Sequence, residues 1–530
     1  MESTHLFEFI LFLLVIILGL EVLAKRVNLP PAVALIAGGI ALAVMPGVPD
    51  FELDPDLVLV LFLPPLLMEG AFFTAWTEFR RQLPGILALA VGAVFFTTLA
   101  VGLAVHWAVP ALPWAACFAL GAVVSPPDAV AARAILERLP LPRRLMVELQ
   151  GESLLDDATG LTLLRFAVTA GLTGGFNATH AGGTFMFLAL GGMAVGGVLG
   201  LLWVRLVPLL DDVSTAIAAT FALSWVSYIA GEAVHVSGVL STVTAGLVLG
   251  WYQHEMFSAA LRVRAVACWR VMVFILESFV FILIGLTMRA IAEHLGSVEN
   301  AVSTYLLPVS VVLVAMIASR FIWIFTADLI RAGLYRVFGW KGGRFSFANA
   351  TVMSWAGMRG VVTIAVALAL PEEMPGRALI VISAFASICA TVIVQGTTIG
   401  WLIRRLKPHD EHAESSRSHL SRAEAATLVA RAQIDAIETP GEKNALQTPD
   451  RHRVAQFIQR LHVLQAYSET PDEHDFADRE AEHEAVLAAI GAGRQEVLRL
   501  HRSGQIPEHL LYTLEHQLDL QELAADTERF

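Results

Sequence analysis

The sequence predicts an all-α membrane protein: thirteen transmembrane helices within residues 1–408, two of them interrupted, followed by a helical cytosolic domain at 409–530. Three observations lead there. Of 530 residues, 56% are hydrophobic and 16% are charged, where soluble proteins average about 25% charged. Apolar stretches of bilayer length follow one another through the first three quarters of the chain, since a span needs about 20 mainly apolar residues. From His409 onward there are 23 acidic and 12 basic residues, so nearly all of the net charge of −12 lies in the last segment. The boundary near Pro408 marks a change of solvent.

The candidate spans lie at 6–24, 31–47, 57–76, 84–108, 113–136, 145–172, 183–207, 212–231, 237–252, 268–291, 302–330, 347–370 and 377–402. The first has no preceding positive residue and no small-residue cleavage site, and Lys25 and Arg26 follow it, so it reads as a retained helix and not a signal peptide. Lys and Arg cluster in alternate connections, at Lys25/Arg26, Arg80/Arg81, Arg138/Arg143/Arg144, Arg205, Arg262/Arg264 and Arg331/Arg336/Lys341/Arg344, and again at Arg404, Arg405 and Lys407. The opposite connections hold little positive charge beyond Arg289 and Arg377 and are acidic, with Asp50, Glu52, Asp54, Asp56, Glu293, Glu299, Glu372 and Glu373. The positive-inside rule then puts the N-terminus outside and the C-terminus in the cytoplasm.

The stretch Glu148–Leu172 sets the function. It is long enough to span, yet it carries Glu152, Asp156 and Asp157. An acid at a helix centre costs roughly 2.5–3.5 kcal/mol and an apolar residue returns roughly 0.3–0.6, so three acids cost about 8–10 against about 4 recovered. Such a helix cannot face lipid. Its acids face a bundle interior or an aqueous cavity, where ionisable groups mark an ion or proton path.

The fifth span reads ACFALGAVVSPPDAVAARAIL, with Pro126 and Pro127 at its centre and Asp128 next. Two prolines remove two backbone donors and clash with the preceding turn, so the helix opens there. Open backbone at membrane depth survives only where protein or water satisfies it. The freed carbonyls and the Asp128 carboxylate are hard oxygen ligands suited to a bare alkali cation. A plain proline kink, with Asp128 bonded to backbone, is the alternative. In the twelfth span, NATVMSWAGMRGVVTIAVALAL, Gly357 and Gly360 flank Arg359, which needs a carboxylate or carbonyl partner.

The two interrupted spans hold matching places if spans 1–6 and 8–13 are copies of a six-helix unit inverted by the seventh. Broken helices at matching positions of inverted repeats point to the midplane site of a secondary transporter. Arg320, deep in the eleventh span, stays charged and demands an acid. Glu152, one helical turn before Asp156, is a plausible partner. Glu277 in the tenth span reads as a structural hydrogen-bonding acid, and Asp211 and Asp212 as helix N-caps.

Cys117, Cys268 and Cys389 are widely spaced and form neither a metal motif nor a disulfide framework. No basic patch suggests nucleic acid. GxSxG, HExxH and a TVGYG-like filter are absent, which speaks against an intramembrane hydrolase and a cation channel, and no nucleotide-binding loop is visible. The tail shows helical apolar spacing at Val454–Ala466, Arg479–Ile490, Gln495–His501 and Leu510–Leu523, and holds ten of the sixteen histidines. Scattered histidines on solvated helices are the simpler reading there than a pH sensor.

SPPDAVAA at 125–132, GESLLDDATGL at 151–161, FILIGL at 281–286 and WAGMRGVVTIAVAL at 355–368 together resemble the bacterial monovalent cation/proton antiporters related to NhaP and to animal sodium/proton exchangers. The resemblance covers roughly residues 5–405. It implies a homodimer in the bacterial inner membrane that exchanges Na⁺ or Li⁺ for protons in pH homeostasis, without an enzyme activity or cofactor. K⁺ is the alternative cargo.

Carried over by motif, Asp157 is the essential acid that binds cation and proton in turn, Asp128 is the acid of the broken helix, and Ser153 and Asp156 lie beside them. Glu152 and Arg320 match a structural ion pair; Pro126, Pro127 and Arg359 support the broken helices. Relatives commonly have threonine at the position of Pro127, so the hydroxyl ligand is missing here. They usually have asparagine at the position of Asp156. Adjacent buried carboxylates disfavour simultaneous ionisation and titrate as a coupled pair. The extra acid either carries a second proton, as in electrogenic antiporters, or stabilises the site as asparagine would; the surrounding motifs favour electroneutral exchange.

Overall fold

A computed structural model of the chain describes residues 3–27, 29–46, 55–128, 141–174, 178–295, 298–337 and 345–408, and isolated positions between 487 and 522. The chain divides into two compact units, Met1–Glu411 and His412–Phe530. Every regular element among the described residues is helical.

In the first unit these are α1 (Ser3–Val27), α2 (Pro31–Val44), α3 (Pro55–Phe72), α4 (Trp76–Ala108), α5 (Trp114–Val124), α6 (Arg143–Thr173), α7 (Ala178–Leu206), α8 (Val213–Ala233), α9 (Gly238–Met256), α10 (Ala259–Leu295), α11 (Val298–Val337), α12 (Phe347–Trp355), α13 (Val361–Leu368) and α14 (Arg377–Leu406). Segments of α1, α4, α7, α8, α10, α11 and α14 are long and apolar enough to cross a membrane, while α2, α5 and part of α3 are shorter apolar helices. α6, with its acids, is not in that set. Large apolar side chains such as Phe12, Leu18, Phe187, Leu202 and Val314 lie exposed on the outer helices, as a lipid solvent requires.

Local sequence sets the helix ends. Asp212 caps α8, accepting from Thr215 N at 2.7 Å and Thr215 Oγ1 at 2.9 Å. Ser237 caps α9 by accepting from Leu240 N at 3.2 Å. α6 ends at Gly174, whose φ of 72° lies in the left-handed region that glycine enters without penalty. Single π-helical turns at Ala88–Ala93 and Thr391–Gln395 interrupt α4 and α14.

Small residues bring helices together. Gly39 of α2 meets Gly285 of α10 backbone to backbone, and Gly192, Gly196 and Gly200 line the face of α7 that packs on α9. One large core joins α2, α5, α10, α11, α12, α13 and α14. A smaller cluster, with Leu67, Leu154, Ala158, Tyr228 and Leu240, joins α3, α6, α8 and α9.

Of the second unit only isolated helical positions are described, among them Ile490, Leu514 and Leu518. The tail segments expected at Val454–Ala466, Arg479–Ile490, Gln495–His501 and Leu510–Leu523 lie wholly or mostly outside the described residues. So do Asp50, Glu52, Asp54, Arg133, Arg138, Lys341 and Arg344.

Candidate functional site

The site is built where two helices break. α5 stops at Val124, and Ser125 to Asp128 continue outside the helix. On the other side α12 stops at Trp355 and α13 starts at Val361, with extended backbone at Gly360 (φ −134°, ψ −155°). The breaks satisfy one another. Asp128 N donates to the Met358 carbonyl at 2.7 Å, so one opened segment supplies the partner the other lacks.

Arg359 completes the junction. Its Nε donates to the Val124 carbonyl at 2.6 Å and its Nη1 to the Gly357 carbonyl at 2.8 Å. A buried cation thus closes the C-terminal end of α5, where freed carbonyls and the helix dipole favour positive charge. The Arg359 backbone N–H donates to Thr391 Oγ1 at 2.9 Å, on the π-helical turn of α14. The partner that a mid-membrane arginine demands is here a set of carbonyls.

The two glycines of the second break make room for side chains. A methyl group at Gly360 would overlap the Asp128 carboxylate, and one at Gly357 would overlap the Arg320 guanidinium. Gly160 on α6 likewise receives the Pro126 ring. Gly160, Gly357 and Gly360 therefore each mark the seat of a side chain from another element.

α6 presents acids on two faces. Glu148, Glu152 and Asp156 recur every fourth residue and are buried. Glu148 accepts from Arg144 Nε at 2.8 Å. Glu152 takes a bidentate pair from Arg320, with Nη1 to Oε1 at 2.7 Å and Nη2 to Oε2 at 2.9 Å. Asp156 is wholly buried, within electrostatic reach of Asp157, Glu152 and Arg320, and neither of its oxygens has a hydrogen-bond partner among the described residues.

The second face turns to a cavity. Asp128, Gln150, Ser153, Asp157 and Glu277 line it together with apolar residues of α3 and α10. Asp157 and Asp128 are close enough to feel one another's charge. Asp128, Ser153 and Asp157 are thus brought together, Glu152, Arg320 and Arg359 lie behind them, and Asp156 stands outside the cavity wall. Residue patterns had not singled out Gln150, because an amide on an amphipathic helix carries no signal of its own. Glu277, read from sequence as a structural acid, stands in the wall as well. Carboxylate, hydroxyl and amide oxygens are ligands for a hard cation. Among the described residues no group of three or more His, Cys, Asp or Glu is arranged to hold a resident metal ion.

Comparison with known proteins gives this geometry a family. The model of the transmembrane sodium/hydrogen exchanger family matches residues 10–405. The chain belongs to that family. The exchanger is 29% identical over 549 residues to an uncharacterised Na⁺/H⁺ exchanger of Escherichia coli K12, YjcE, covering 97% of this chain and 98% of the relative. It is 32% identical over 409 residues to a sodium, potassium, lithium and rubidium/H⁺ antiporter of Bacillus pumilus, covering 74% of this chain and 60% of that one. Its fold matches the sodium proton antiporter MjNhaP1 of Methanocaldococcus jannaschii at a TM-score of 0.61 and 18% identity, over 77% of this chain and 99% of that one. The exchanger is accordingly a multi-pass membrane protein and a cation/proton antiporter, moving ions as substrates.

Proposed function

We propose that the protein exchanges Na⁺ or Li⁺ for protons by alternating access at Asp157, assisted by Asp128, Ser153 and opened backbone. The observation that carries this reading is the cavity lined by Asp157 and Asp128 beside two helix breaks joined by the Asp128–Met358 hydrogen bond. Cation and proton compete for one carboxylate, which by itself couples their movements. A cation arriving through the cavity displaces the proton, the loaded helices shift past their neighbours, and a proton displaces the cation on the other side. Arg359 and the Glu152–Arg320 pair hold the broken segments and α6 together as one moving body.

The reading includes thirteen crossings built as inverted six-helix repeats, an external N-terminus and a cytoplasmic C-terminus. It also includes a homodimer in a bacterial inner membrane serving pH homeostasis. Residues 1–408 form the transport domain, and the acidic 409–530 a cytosolic regulatory or assembly domain.

K⁺/H⁺ exchange is the second reading, favoured by the multi-ion name of the Bacillus pumilus relative. Proton flux in proteoliposomes, after separate Na⁺, Li⁺ and K⁺ pulses, tests both. The expected result is a response to Na⁺ and Li⁺ that Asp157→Asn abolishes while the protein still elutes as a folded species. Flux preserved in Asp157→Asn refutes the site, and a K⁺ response transfers the function to potassium.

A further inference from the structure

Arg165 of α6 pairs with Glu232 of α8, Nη2 to Oε2 at 2.9 Å, with both side chains part-exposed. The pair lies on the far side of Asp157 from Gln150 and Ser153, the polar groups of α6 that line the cavity. Leu154, Ala158, Leu161 and Arg165 follow one another at spacings of four, three and four, which places them on one helical seam. Along that seam Leu154, Ala158 and Leu161 pack among Tyr228, Val239, Leu240 and Val243 of α8 and α9. Arg165 continues it to Glu232, one turn beyond Tyr228.

The acceptor is held rigidly. Glu232 Oε1 also accepts from Gly238 N at 3.3 Å, across the corner that joins α8 to α9. That corner is fixed by Val236 N to the Gly231 carbonyl at 3.0 Å and Ser237 N to the Leu188 carbonyl at 3.2 Å. It also contains His235 at φ 56°, a left-handed conformation that a non-glycine residue keeps only where its surroundings impose it. α6 therefore meets a preset carboxylate.

We propose that Arg165–Glu232 is a latch: it closes the side of Asp157 opposite the cavity, and it parts when α6 slides along α8 and α9 to open the site there. The inference rests on the alternating-access reading, and packed helices sliding past one another are a standard form of such a transition. An exposed pair stabilises the latched state modestly, so its loss raises the population of the opened state by up to about fivefold.

The experiment is cysteine accessibility in membrane vesicles. Cys117, Cys268 and Cys389 are replaced by alanine, Leu161→Cys is the reporter in the seam, and a membrane-impermeant maleimide is applied to each face separately. Arg165→Gln and Glu232→Gln should each raise the labelling rate from the face opposite the cavity, by up to about fivefold. The exchanged pair Arg165→Glu with Glu232→Arg should bring it back. Unchanged labelling in both single variants, or no recovery in the exchanged pair, overturns the latch. Val239→Cys on α9 replaces the reporter if Leu161→Cys does not fold. Labelling does not require transport: faster labelling without cation-driven flux would sink the antiporter reading alone, and flux with unchanged labelling would sink the latch alone.

Discussion

Arg359 Nε donates to the Val124 carbonyl across 2.6 Å, so a side chain from the break between α12 and α13 closes the last turn of α5. Residues far apart in sequence thus form one junction, and Asp128 rests on it through its own bond to Met358. The position of the Asp128 carboxylate follows from how the two breaks satisfy each other.

Arg359→Ala removes two hydrogen bonds from a charged donor, each worth roughly 1.5–3 kcal/mol, and leaves the Val124 and Gly357 carbonyls buried without them. The expected loss is about 3–6 kcal/mol, seen as a large fall in the thermal midpoint of detergent-purified protein. Arg359→Lys keeps the charge but not the fork, and should fall between. Equal stability of the alanine variant and the wild type would show that the junction does not depend on this side chain.

Gly360→Ala should silence exchange without unfolding the protein. The added methyl overlaps the Asp128 carboxylate, which must leave the cavity wall. Cation-driven proton flux is expected to drop at least about tenfold, since misplaced catalytic or binding groups lose factors of that order or more. Gly183→Ala on α7, where nothing lies within 4 Å of the added atom, is the control and should transport normally.

These cases mark how far the chain was legible beforehand. The intramembrane acids could be read because burying them costs more than their neighbours return. The separation of Asp156 from Asp157 follows from their 100° offset on a helix. The proline breaks were less secure. Pro64 and Pro65 form the same dipeptide as Pro126 and Pro127, yet α3 runs through them unbroken. What differs at Pro127 is a partner: the next N–H bonds to Met358 instead of continuing a helix. Such a bond joins segments far apart in the chain, and no local pattern records it. The seats at Gly357 and Gly360 are invisible for the same reason, because their occupants, Arg320 and Asp128, come from distant parts of the chain.

The Glu152–Arg320 pair calls for a double-mutant cycle. Both groups are buried and bound through two short hydrogen bonds. Glu152→Leu alone should cost about 3–5 kcal/mol by leaving a buried guanidinium unpaired. Glu152→Leu with Arg320→Met should recover much of that, because the apolar replacement removes both charges together. Thermal midpoints of the four proteins measure the coupling. If the double variant is as unstable as the two single losses added, the pair's value lies elsewhere than in mutual neutralisation.

Asp156 and Asp157 should answer differently to the same substitution. Asp157 opens into the cavity, whereas Asp156 lies outside its wall and its oxygens have no side-chain hydrogen-bond partner among the described residues. A carboxylate charged at that position would add an anion beside Glu152, which already takes both terminal nitrogens of Arg320. Asp156→Asn is therefore expected to keep cation-driven flux and thermal stability near wild type, where Asp157→Asn loses flux. Membrane potential makes the test sharp. A moved charge is worth about 2.3 kcal/mol per 100 mV, close to fiftyfold in the gradient the exchanger sustains. If flux ignores an imposed potential in both the wild type and Asp156→Asn, Asp156 carries no charge in the cycle and stands where an amide would serve. If the wild type responds to potential and the asparagine variant does not, Asp156 carries a second proton, and exchange is electrogenic.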